Sequence, residues 1–200
     1  MGIKKIEAIC KASRRIVVLW DREGACQWLG DGSAFYPVYG LPLLTEEHIF
    51  TMFDIPEDKR SKYLFTETEM PATYNFTDHC DSEVPLVREE LSLIRYGVTL
   101  VPFKTSEGIT FVSKRYLKPL EDSENEYVLC ERTAKNGQVY IVAKQGFLLA
   151  GVIMPAAMVD KAFVEGLKTL YELSAVRLSN GAEEPVQMDL DWEDNDNGTR

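Results

Sequence analysis

Two hundred residues, 45% of them hydrophobic, suffice for one sizeable core or for two small cores that share an interface. The formal net charge of −10 points away from a surface that attracts nucleic acid all over, and no apolar run approaches the roughly 20 residues that a membrane-spanning helix needs. The four cysteines, Cys10, Cys26, Cys80 and Cys130, never form Cys-x-x-Cys, which argues against a zinc knuckle or redox motif and for buried or incidental thiols.

The front end, Met1-Gly-Ile-Lys-Lys-Ile6, has neither the apolar core nor the small-residue cleavage site of a signal peptide, so the expectation is a cytoplasmic protein. Ile3, Ile6, Ile9 and Cys10 recur at helical spacing and predict a helix over Ile3–Ser13. Ile16-Val-Val-Leu-Trp20 is a continuous apolar run short enough for a central strand, within Arg15–Asp21. Gly24 and Gly30-Asp-Gly32 then punctuate two further strands, Ala25–Leu29 and Ser33–Tyr39. Thr45 is placed to cap a helix through Phe53, and Pro56 opens a short charged turn.

From residue 66 to residue 90 the chain is acidic and poor in long aliphatics, which predicts an extended loop, either functional or disordered. Strands are expected at Leu91–Tyr96, Val98–Phe103 and Ile109–Val112, then a short basic helix at Ser113–Leu120. Tyr127–Arg132, Gln138–Lys144 and Phe147–Ile153 follow as strands, with Asn136-Gly137 suited to a two-residue hairpin turn. Val159, Phe163, Leu167 and Leu170 mark a last helix from Ala156 to about Leu173, left at Asn180-Gly181. The segmentation is thus a first α/β unit at 1–65, an acidic loop at 66–90, a second unit packed with the first at 91–181, and an acidic tail at 182–200.

Charge is distributed unevenly along that plan. Residues 66–90 hold seven acidic residues against Arg88, and residues 182–200 hold seven against Arg200, −6 each, so the rest of the chain carries +2. Basic residues gather on the two opening helices: Lys4, Lys5, Lys11, Arg14 and Arg15 on the first, Lys114, Arg115 and Lys118 on the second. Solvated helix surface explains each set alone, but the enrichment recurs at matching places. Trp20, Trp28, Phe35, Tyr36 and Tyr39 lack interleaved cations and read as core rather than as a stacking platform.

Catalytic signatures are missing. The chain contains no Gly-x-Ser-x-Gly, phosphate loop or Gly-x-Gly-x-x-Gly, which points away from a hydrolase, a nucleoside-triphosphate enzyme or a dehydrogenase, and no cofactor is expected. Asp78-His-Cys-Asp81 reads as a polar loop, because adjacent residues cannot all face one ion and the second histidine, His48, is far off in sequence. Glu46-Glu47 and Glu89-Glu90 read as solvated edges. An enzyme built on a loop site stays open as a third reading, since carboxylates are plentiful.

One stretch carries a resemblance. Ile109-Thr-Phe-Val-Ser-Lys-Arg-Tyr-Leu-Lys-Pro-Leu120, the strands after it, and Phe147-Leu-Leu-Ala-Gly-Val-Ile-Met-Pro155 together resemble the closing unit of bacterial DNA sliding clamps. In that family the unit is a strand, a short helix with Tyr-Leu, and three strands ending in Met-Pro. Each domain holds two such units, with helices lining a ring around duplex DNA. The resemblance implies an α+β fold, a mainly antiparallel sheet of two related α-β-β-β units, and a DNA-facing set of Lys4, Lys5, Lys11, Arg14, Lys114, Arg115 and Lys118. It departs from the family in the residues that follow Pro155 and in having one clamp-like domain's length. A further likeness is to small proteins of bacterial prophages, which implies no activity.

In the tail, Gln187-Met-Asp-Leu-Asp-Trp192 is similar to the peptides by which polymerases and repair proteins dock on bacterial clamps. Met188, Leu190 and Trp192 would fill an apolar groove while Gln187 bonds at its rim. Plain acidic disorder is the competing reading. The expectation is therefore a non-enzymatic, clamp-like or clamp-associated accessory protein of DNA replication. Its partners would be duplex DNA, or a sliding clamp or other replication protein. The alternative is an acidic interaction or inhibitory protein that imitates nucleic-acid phosphates.

Overall fold

The computed structural model describes residues 2–21, 26–87, 91–106, 108–121 and 126–179. It is an α+β fold in two units, Met1–Ala157 and Met158–Arg200. In chain order the first unit runs α1 (Ile3–Ser13), β1 (Arg15–Trp20), β2 (Gln27–Gly30), β3 (Ala34–Val38), α2 (Glu46–Met52), α3 (Glu57–Arg60), β4 (Leu64–Glu69) and β5 (Val84–Pro85). It continues through β6 (Leu93–Arg95), β7 (Val98–Thr105), β8 (Gly108–Ser113), a 3-10 turn (Lys114–Tyr116), β9 (Val128–Thr133), β10 (Val139–Gln145) and β11 (Leu148–Ile153). The second unit contains α4 (Lys161–Ser179). This two-unit division cuts the chain differently from the four segments expected above.

Eight strands form one sheet in the order β4-β1-β2-β3-β11-β10-β9-β5, and β6-β7-β8 form a second. All pairings are antiparallel except β1 with β4. The large sheet reads alike from both ends: each half has an edge strand and then three sequential strands, and β3 meets β11 in the middle through Phe35 and Val152. Each run of three strands follows its own lead element, α1 before β1 and the 3-10 turn before β9.

Strand alternation builds two cores. Ile16, Val18, Leu29 and Tyr36 face one side, where α1 contributes Ile6, Ile9 and Cys10, the second sheet contributes Val101, Phe103 and Val112, and the 3-10 region contributes Tyr116 and Leu117. Val17, Leu19, Trp28 and Phe35 face the other, with Tyr140, Val142 and Leu149, covered by Met70, Tyr74 and Phe76. Both sides of β1 are therefore shielded, which is why its sequence is continuously apolar rather than alternating.

Four expectations need correction. The acidic stretch 66–90 is not simply a loop: it shares β4, pairs as β5, and its Tyr74 and Phe76 close the second core. The basic helix expected over Ser113–Leu120 is one 3-10 turn followed by i→i−3 bonds from Leu117, Leu120 and Glu121, because Pro119 has no N–H to continue an α-helix. The connection at Asn136-Gly137 spans residues 134–138, with Thr133 paired to Val139 and Gly137 alone at positive φ (84°). The last helix begins at Lys161, where the Asp160 carboxylate accepts from the Phe163 N–H at 2.8 Å, five residues later than expected.

The Thr45 cap forms as expected. Its hydroxyl accepts from the His48 N–H, and His48 Nδ1 accepts from the Thr45 N–H, both at 3.4 Å, so a histidine takes the place that glutamate usually fills. Among the described residues no helix is long and apolar enough to cross a membrane.

A buried ion cluster ties the acidic stretch to the sheet. Arg132, 0% exposed, donates to Glu83 at 2.6 and 3.0 Å and to the carbonyls of Asn75 and Thr77, while Lys144 reaches the other Glu83 oxygen at 2.8 Å. Burial alone would raise the Glu83 pKa, but the bonds and charges of Lys144 and Arg132 outweigh it and hold the carboxyl below its usual range.

Candidate nucleic-acid interface

α1 is amphipathic in a simple way. Ile6, Ile9 and Cys10 point into the core, while Lys4, Ala8 and Ala12, at i, i+4 and i+8, form an exposed stripe. The 3-10 region behaves likewise on a shorter scale, burying Tyr116, Leu117 and Leu120 and exposing Lys114 and Lys118. Because both elements cover the same core, they come to lie side by side. Lys5 Nζ donates to the Lys118 carbonyl at 3.0 Å.

Between them runs a groove of about 460 Å³ lined by Lys4, Lys5, Ala8, Ile9, Ala12, Arg115 and Lys118. Four cations rim an apolar floor, and no carboxylate is among the described lining residues. Four of the seven residues expected to face DNA are thus brought together. The other three are placed elsewhere: Lys11 is paired with Glu7 at 2.5 Å, Arg14 forms the left-handed C-cap of α1 (φ 54°), and Lys114 is exposed outside the groove lining.

A buried polar network sets the position of Arg115. In the turn between β2 and β3, Asp31 Oδ1 accepts from the Ser33 and Ala34 N–H groups, and Oδ2 accepts from Tyr116 OH at 3.1 Å and from Arg115 Nη2 at 3.3 Å. Tyr36 OH donates to the Tyr116 carbonyl at 2.6 Å. Burial first, and then the Asp31 charge, pushes both tyrosine hydroxyls above their usual pKa, so each stays a protonated donor at neutral pH. The turn itself demands Gly30, since a Cβ there would lie 1.7 Å from the Ala34 oxygen.

Sequence reasoning missed Asp31, Tyr36 and Tyr116 as the frame of this surface. The available signal was Asp31 between two glycines, which marks a turn whose carboxylate bonds its own backbone. The reading of the early aromatics as core holds for Trp28, Phe35 and Tyr36, whereas Tyr39 is 61% exposed.

The Asp78–Asp81 stretch points several ways. Asp78 accepts from the Leu149 N–H at 2.7 Å, His79 pairs with Asp81 at 2.9 Å, and Cys80 meets Ser82. Glu89-Glu90 and the tail residues Gln187, Met188, Leu190 and Trp192 lie outside the described residues. Compared with protein-family models, with curated proteins and with solved structures, the chain matches none.

Proposed function

We propose that this chain is a non-enzymatic, clamp-like accessory protein of DNA replication that lays the α1/3-10 groove against the phosphates of duplex DNA. The observation that carries this reading is the juxtaposition of the two lead elements, with Lys4, Lys5, Arg115 and Lys118 around one groove in a chain whose net charge is −10. Phosphate contacts supply affinity without base readout, which suits a protein that must hold any sequence. A strand order alike from both edges is what a plan of two related units would give.

The rival, a phosphate mimic, needs acidic segments free to meet a basic partner. Glu83 is already committed to Arg132 and Lys144, so that carboxylate of the internal acidic stretch is not free to meet a basic partner. The proposal extends to the tail as a clamp-docking peptide, tested by titrating a 182–200 peptide against a bacterial sliding clamp. Absence of saturable binding removes that extension.

The main test measures binding of the full chain to labelled duplex DNA by fluorescence anisotropy over a salt series. Lys4→Glu combined with Lys118→Glu, two exposed changes, should weaken binding about ten-fold or more and reduce the log–log salt slope by roughly 0.9 for each phosphate no longer neutralised. An unchanged slope in the double variant, or no salt-sensitive binding by the wild type, refutes the DNA reading.

A further inference from the structure

The opposite side of the sheet carries a cleft of about 740 Å³ that the DNA reading does not use. Its walls are aromatic, with Trp28, Tyr39, Tyr74 and Phe76 all contributing. Phe76 stands edge-on to Trp28 with 5.1 Å between ring centroids, and Tyr74 stands edge-on to Tyr140 at 5.2 Å. Arg132 clamps the backbone of this wall through the Asn75 and Thr77 carbonyls, and the Asn75 N–H donates to Tyr140 OH at 3.0 Å. The cleft is accordingly preformed rather than assembled by its occupant, and its size is that of a small-ligand or side-chain pocket.

Its electrostatics favour one sign of ligand. Asp21 and Asp78 line the cleft, opposed among the described lining residues by Lys135, which is exposed. Asp78 makes its bond to Leu149 through Oδ1 and has no basic partner among the described residues. Two further groups report the local field. Burial, then Asp21, raises the Cys26 thiol pKa, with Trp28 opposing and Asp78 adding a smaller rise, and burial, Cys26 and Asp78 raise that of the Tyr39 hydroxyl. Burial opposes a new charge of either sign, so it is the Asp21 and Asp78 carboxylates at the cleft wall that favour a positive one.

We propose that this cleft binds an arginine side chain presented by a partner polypeptide. A guanidinium suits it in two respects: its flat face stacks on electron-rich rings, and its paired N–H groups meet a carboxylate. This inference is independent of the DNA reading and uses none of its residues.

The test uses the full chain and two peptides, acetyl-Gly-Arg-Gly-amide and the neutral isostere acetyl-Gly-citrulline-Gly-amide. Iodoacetamide modification of Cys26, followed site by site by mass spectrometry, reports occupancy of the cleft, and buried Cys10 serves as the control for global opening. The arginine peptide at millimolar concentration should slow modification of Cys26 and leave Cys10 unchanged, with the citrulline peptide on the order of five- to ten-fold weaker. Asp78→Asn keeps the acceptor for the Leu149 amide while removing the charge, and Tyr39→Leu alters an exposed ring, so both variants should fold and both should lose most of the protection. Equal protection by the two peptides, protection that survives Asp78→Asn and Tyr39→Leu, or none from the arginine peptide overturns the proposal.

Discussion

The two halves of the eight-stranded sheet reach the same strand order from different lead elements. In the first half an 11-residue helix covers the sheet through Ile6, Ile9 and Cys10, an apolar stripe long enough to dock by itself. In the second half a three-residue 3-10 turn occupies the corresponding place in the chain and cannot hold its shape alone. It is tied instead by Asp31 and Tyr36, both from the first half, through the Tyr116 hydroxyl, the Tyr116 carbonyl and Arg115. A long amphipathic element needs only a surface to lie on, whereas a short one needs directional bonds from its neighbours.

That contrast can be broken at its stronger end first. Ile6 is 1% exposed, and Ile6→Ala should destabilise the protein by about 3 kcal/mol through reduced burial and the cavity left behind, read as a lower urea midpoint at unchanged slope. A loss well under about 1 kcal/mol would mean that α1 is not anchored by its stripe.

Cutting the polar ties should have a smaller and more local effect. Asp31→Ala strips two backbone N–H groups, Tyr116 OH and Arg115 of their acceptor and should cost about 2 kcal/mol, while Tyr116→Phe, which removes the hydroxyl's bond to Asp31 and the one it accepts from Arg115 but leaves the two backbone N–H groups satisfied, should cost about 1 kcal/mol. Hydrogen exchange should rise mainly at Leu117, Leu120 and Glu121, whose amides close the 3-10 bonds. Uniform loss of protection across β1 and β2 as well would show that the two halves do not differ as described.

The finest distinction comes from a thiol. Burial, then Asp31, pushes the Cys10 pKa up to about 12, so its alkylation at neutral pH reports opening of α1. Tyr116→Phe should leave that rate nearly unchanged and Ile6→Ala should raise it on the order of a hundred-fold, as expected if about 3 kcal/mol is removed from the opening free energy. Equal acceleration in both variants would make the lead elements one cooperative unit.

Several elements were legible because their information is local. The Ile3, Ile6, Ile9, Cys10 period locates α1 at both ends, and the apolar run Ile16–Trp20 identifies an interior strand, because side-chain spacing follows directly from backbone geometry. The sequence singled out Lys4, Lys5, Lys11, Arg14, Lys114, Arg115 and Lys118 without distinguishing the four that line the groove from the three that do not. Where a long-range partner decided the outcome, the sequence reading failed. Leu64-Phe-Thr-Glu-Thr-Glu69 becomes β4 because β1 offers it an edge, and Tyr74 and Phe76 become core because a sheet face lay open beneath an acidic stretch.

Periodicity and turn signals by themselves determined the helix at the front and most of the strands, and composition the concentration of basic residues at the two lead elements. Only the tertiary structure decided that β3 and β11 join the halves into one sheet and that Asp31 reaches Tyr116 85 residues away. The physical reason is one of range. Backbone geometry reads its own neighbours within a turn or a pleat, while strand pairing, the satisfaction of buried polar groups and the meeting of two cationic surfaces depend on residues that come together only when the chain closes on itself.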